Sequence, residues 1–132
     1  SEQPELAAEA AEKEAAAELA VLNPKGLERL RKTLGKRAEE MLPEVLEQFF
    51  VDAEEMLKQA HQALADKQLE NLRRAAHTLK SNALSFGAVR LGESCRQLEL
   101  LAKQGSSDGA QDLLAGIEKD FLDAQEALRR VV

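Results

Sequence analysis

The sequence predicts an all-α fold: an up-and-down antiparallel four-helix bundle, preceded by one short helix and an Ala/Glu-rich helical extension at the N-terminus. Three observations carry this. Apolar residues make up 44% of the 132-residue chain and are mostly Leu and Ala, with four Phe and no Trp or Tyr. Such side chains lose little freedom in a helix, whereas strands favour β-branched and aromatic residues. Apolar positions recur at spacings of three and four through four long segments. Glycines and short polar turns separate those segments, and short connections make consecutive helices antiparallel neighbours.

Residues 1–22 are read as a solvated helical extension or linker, and 23–132 as the bundle. The stretch 2–20 is nearly all Ala and Glu, with only Leu6 and Leu19 as large aliphatics, so it has little to bury. Asn23-Pro24 then supplies an N-cap followed by Pro at the first helical position. Leu27, Leu30 and Leu34 make a short stripe that Gly35 ends. The first long helix spans about 36–66, with Leu42, Leu46, Phe49, Ala53, Met56, Ala60 and Leu64 on one face. Pro43 either sits in its first turn or bends a helix that begins a few residues earlier. The second, about 67–85, buries Leu69, Leu72, Ala76, Leu79 and Ala83. After Gly87 the third carries Ala88, Leu91, Cys95, Leu98 and Ala102 and closes at Gly105. The last carries Ala110, Leu114, Ile117, Phe121, Ala124 and Leu128.

Composition also excludes functions. One domain of this size can bury a core without disulfides or a structural metal. The single Cys95 rules out an internal disulfide and suits a reducing compartment. No apolar run approaches the roughly 20 residues of a membrane span, and no secretory segment opens the chain. A soluble, cytoplasmic protein without direct membrane contact is expected. The net charge of −6 argues against nucleic acid as a partner, because phosphate-backbone binding needs a basic surface. Metal binding is not expected: the two histidines are far apart in sequence, and Cys95 has no partner at ligand spacing.

The second long helix holds the informative stretch. Its buried stripe passes through Ala76 and Leu79, which leaves His77 about 100° of rotation away from Ala76, beside the core. Residues three and four apart share a helix face, so His77 is flanked by Arg73, Arg74, Lys80 and Ser81, with Leu84 one turn beyond. In an acidic chain this is a cationic strip centred on an imidazole. A neutral imidazole is a competent nucleophile near neutral pH. Lys80 can neutralise the oxygens of a phosphoryl group placed on it and disfavours ring protonation.

The run Ala76-His77-Thr78-Leu79-Lys80-Ser81-Asn82-Ala83, then Phe86-Gly87-Ala88, then Leu91, Cys95, Leu98 and Glu99, resembles the histidine-containing phosphotransfer (HPt) domain of multistep phosphorelays. The resemblance is strongest over 75–99, and the helix layout extends it to roughly 23–130. It implies that His77 is phosphorylated on Nε2 and that Lys80, with Ser81 beside it, contacts the phosphoryl group. Gly87 and Ala88 are implied to let the hairpin helices approach closely, and Glu99 to orient the ring through its other nitrogen. The family commonly has Gly where Ser81 stands; Ser is small enough to leave access open. Arg73, Arg74, Leu84 and Gly87 are candidates for a docking rim.

Three function classes compete. A relay intermediate takes a phosphoryl group from a receiver-domain aspartate and passes it to another, with Mg²⁺ supplied by the receiver and no kinase activity of its own. The phosphoacceptor hairpin of a sensor kinase is disfavoured: an acidic residue typically follows its histidine, where Thr78 stands here, and the chain shows no Gly-rich nucleotide loop. The third is a docking or structural bundle. The relay is the preferred reading, with response-regulator receiver domains as partners and the Ala/Glu lead-in as a candidate tether to a hybrid sensor kinase. His61 has no comparable neighbours and is expected to be an ordinary surface residue. Cys95 falls on a core stripe and is expected to be a small buried hydrophobe.

Overall fold

The computed structural model describes residues 19–132. Helix α1 (Pro24–Leu34) leads through a 3₁₀ turn (Gly35–Arg37) into α2 (Ala38–Ala65), followed by α3 (Leu69–Ser85), α4 (Val89–Lys103) and α5 (Ala110–Val131). No strand occurs among the described residues. Helix α2 packs on α3, α3 on α4, α4 on α5 and α5 back on α2, while α1 packs on α2 and α3. The four long helices therefore close into the expected bundle. The expected Ala/Glu-rich helix falls mainly on residues outside those described. Residues 19–22 are not helical, and Val21 and Leu22 pack against the core.

Local chemistry explains the boundaries. Asn23 is extended (φ −107°, ψ 117°), and its Oδ1 accepts the Lys25 N–H at 3.0 Å, ahead of Pro24 in the first turn. Gly35 ends α1 at φ 71°, where its N–H bonds to the Arg31 carbonyl. The next helix starts at Ala38, two residues later than the stripe suggested, because Gly35–Arg37 winds as 3₁₀ first. Pro43 lies inside α2, past its first turn. Its ring removes one backbone donor, yet the apolar face of a 28-residue helix continues through it.

The core follows the predicted stripes most closely in α5, where Ala110, Leu114, Ile117, Phe121, Ala124 and Leu128 are all buried. In α2 the stripe is broader than its three-and-four spacing indicated: Phe50 and Ala63 are buried, whereas Met56 and Leu64 are only partly so. Phe50 is turned about 100° from Phe49, toward α5. Its ring lies edge-on to Phe121 (6.2 Å between centroids), under the Arg129 guanidinium at 4.8 Å. Phe49 stacks on Phe86 at 4.6 Å, so the four Phe form one cluster joining α2, α5 and the α3–α4 turn. Each such ring contributes roughly 1.5–3 kcal/mol by burial. Helix α4 also buries Gly92, Ser94 and Gln97, because both α3 and α5 cover it.

Candidate functional site

Helix α3 turns Leu72, Ala75, Ala76, Leu79 and Ala83 inward, and the small side chains let α4 lie close against it. One residue past Ala76, His77 emerges at the seam between the two helices with its side chain 53% exposed. Glu99 meets it from α4, with its side chain only 16% exposed. Glu99 Oε1 lies 2.7 Å from His77 Nδ1. A carboxylate can only accept, so Nδ1 is the donor, and in the neutral ring this tautomer leaves the lone pair on Nε2. Among the described residues no hydrogen bond occupies Nε2.

Lys80, one turn along α3, reaches the same carboxylate: its Nζ is 2.6 Å from Glu99 Oε2. At that distance the contact is a close ion pair. Burial alone would push the Glu99 carboxyl up, but Lys80 and His77 together outweigh it and hold the group below the usual carboxylate value. Lys80, Glu99 and His77 thus form one connected polar chain, with the Glu99 carboxylate between the ammonium and the imidazole.

The remaining predicted residues divide. Ser81 is exposed one turn from His77, and its carbonyl accepts the Ser85 hydroxyl. Leu84 is 42% exposed and lies over the bare backbone of Gly92, where an added Cβ would come within 2.6 Å of Leu84 Cδ2. Arg73 and Arg74 are on the predicted face but not free: both contact Glu70. Gly87 does not belong to a docking rim. It is buried beneath the start of α1, where the Asn23 N–H bonds to its carbonyl at 2.8 Å and an added Cβ would lie 2.5 Å from the Asn23 carbonyl oxygen. Its φ of 74° and its contact with Gly26 show what the glycine serves, which is close approach of α1 to the α3–α4 turn.

Sequence reasoning missed Glu70, Gly26 and Gly92. Glu70 was detectable, since it precedes Arg73 and Arg74 by three and four residues. The two glycines were not, because each matters only through a partner on another helix. His61, on α2, pairs through Nε2 with Glu118 of α5. Cys95 is fully buried, and burial pushes its thiol well above the usual range, which makes it an inert core residue. Among the described residues, no helix is long and apolar enough to cross a membrane.

This geometry can be set beside known proteins. The family model of the Hpt domain matches residues 44–130. Phosphorelay protein LuxU of Vibrio vulnificus, from strains YJ016 and CMCP6, is 33% identical over 100 residues, covering 75% of this chain and 84% of the relative. The crystal structure of histidine-containing phosphotransfer protein B (HptB) from Pseudomonas aeruginosa PAO1 superposes with a TM-score of 0.76 at 29% identity, covering 83% of this chain and 92% of that one. ZmHP2, a histidine-containing phosphotransfer protein from maize, shares the fold at a TM-score of 0.71 and 18% identity, covering 85% and 89%. The matched span takes in α3 and α4 whole, with the His77–Glu99 seam inside it. The chain belongs to the Hpt domain family, whose members carry phosphoryl groups in phosphorelays and are carriers rather than kinases.

Proposed function

We propose that His77 accepts a phosphoryl group on Nε2 from a receiver-domain aspartyl phosphate and passes it to the aspartate of a second receiver. The observation that carries this is the Nδ1–Glu99 bond, which leaves the nucleophilic nitrogen at the exposed edge of the seam. In the transfer the Nε2 lone pair forms the N–P bond as the aspartyl O–P bond breaks and the carboxylate leaves. The Nδ1 proton stays in its hydrogen bond to Glu99, whose carboxylate stabilises the positive charge that builds on the ring. Running the same step backwards onto another carboxylate completes the relay, and positioning supplies most of the rate.

Lys80 is the phosphoryl-stabilising cation, and its flexible stem lets the ammonium lean from Glu99 Oε2 toward phosphoryl oxygens. Ser81 offers a hydroxyl on the same face, and Arg73, Arg74 and Leu84 form the docking rim. The residues around His77 do not fit a divalent cation, since Glu99 has one oxygen committed to the imidazole and the other to Lys80. The Mg²⁺ that assists transfer therefore comes with the receiver. The domain has no kinase activity of its own, and its Ala/Glu-rich lead-in suits a tether to a hybrid sensor kinase. The test is transfer from a receiver labelled with a radioactive phosphodonor. Wild type should gain an acid-labile, base-stable label, and His77→Gln should gain none; equal labelling of both would overturn the assignment.

A further inference from the structure

The positive charge beside His77 is already engaged. Glu70, in the first turn of α3, takes two hydrogen bonds from Arg73: Nε to Oε2 at 2.9 Å and Nη2 to Oε1 at 2.5 Å. Arg74 Nε lies 3.3 Å from the same Oε1. These arginines stand four and three residues before His77, on its face of the helix. One carboxylate thus serves two guanidinium groups, and the pair presents one net positive charge instead of two. The Arg73 hydrogen bonds hold the Glu70 carboxyl at about 2, so it stays ionised at any working pH. On the other side of His77, Lys80 is committed to Glu99. Each of these three cations has a carboxylate partner before any phosphoryl group arrives.

We propose that Glu70 sets the rate and the partner preference of transfer at His77 by holding Arg73 and Arg74 back from the incoming anion. This rests on the reading of His77 as the phosphoacceptor. An acyl phosphate and the carboxylates around it bring several negative charges to Nε2. They attract a free guanidinium strongly, but must first draw it from a two-pronged ion pair. A densely anionic partner surface offsets that loss and a weakly anionic one does not, so Glu70 acts as a charge filter. Its exposed position keeps the exchange fast and reversible, as an ion pair at the surface should be.

A purely structural role makes a different prediction. A carboxylate in the first turn favours the helix dipole, so on that account Glu70→Gln lowers the melting temperature and leaves transfer unchanged. The charge-filter role predicts faster transfer. Initial rates from a phosphorylated receiver should show kcat/KM rising about threefold to tenfold in Glu70→Gln at low ionic strength, mainly through KM. The gain should vanish near 1 M salt, where the screening length is about 3 Å. It should also vanish when Arg73→Ala and Arg74→Ala are added. Unchanged or slower transfer, or a gain that survives salt or loss of both arginines, overturns the role of Glu70. The two readings fail separately: no label on wild-type His77 removes the phosphoacceptor assignment, whereas normal labelling with an unaltered rate in Glu70→Gln removes only the filter.

Discussion

The molecule holds two histidines, and each pairs with a glutamate across a helix seam. At the α3–α4 seam, Glu99 takes Nδ1 of His77. At the α2–α5 seam on the opposite side of the bundle, Glu118 takes Nε2 of His61. The chemistry is the same and the consequence is reversed. Nε2 is the nitrogen farther from the backbone, so engaging Nδ1 leaves the outer one free, while engaging Nε2 occupies it. The carboxylates differ as well. Glu99 is mostly buried and backed by Lys80, whereas the Glu118 side chain is 45% exposed. Surface histidine plus carboxylate is therefore not a site by itself. On the proposed reading, which nitrogen is held, and how firmly the holder is held in turn, separates a phosphoacceptor from an ion pair.

The largest expected contrast is between His77→Gln and His61→Gln: the first should abolish labelling by a phosphorylated receiver, and the second should leave it at the wild-type level. Label retained in the first, or lost in the second, would break the comparison. Next in size are the carboxylates. Glu99→Ala frees the ring to turn and should slow transfer about tenfold to a hundredfold, as misplaced reacting groups do. Glu99→Gln keeps an acceptor and should retain most of the rate, and Glu118→Ala should change nothing. If Glu99→Ala transfers normally, ring orientation does not matter. Lys80→Ala removes one charge-assisted contact and should cost about tenfold. Wild-type speed in that variant would remove Lys80 from the phosphoryl site.

Two smaller effects concern stability. The Glu99 carboxyl is held below its ordinary value of 4.5 in the folded chain. Its pairing therefore stabilises the fold above that pH, and the contribution fades as pH falls through the lowered value. Urea midpoints of wild type and Glu99→Gln should differ near neutral pH and converge as the pH falls through that lowered value. A gap that does not close would place its origin in packing. At the other seam, His61→Gln removes a solvent-exposed pair and should lower stability by about 1 kcal/mol at most. A larger loss in thermal melts would mean that the α2–α5 seam depends on it.

The helices and the face of each were legible in the sequence because both follow from local periodicity. The α5 stripe was read whole, and the His77 position came from the offset between residues 76 and 77 on a helix of known pitch. Where the reading fell short, the deciding neighbour lay on another helix. Phe50 is buried because α5 brings Phe121 to it, and Gly87 is a glycine because α1 crosses there. The cationic strip carries less free charge than its residues alone indicated, since Glu70 pairs with Arg73 and Arg74 and Glu99 pairs with Lys80.

The sequence by itself determined an all-α chain, its apolar faces, and a histidine beside rather than within the core, since backbone geometry and side-chain spacing suffice for those. Only the tertiary structure decided that Glu99 meets Nδ1, that Lys80 rests on the same carboxylate, and that Gly87 lies beneath α1. Periodicity states which way a side chain faces. What it finds there depends on the crossing of helices distant in sequence, and hydrogen bonding decides within a few tenths of an ångström.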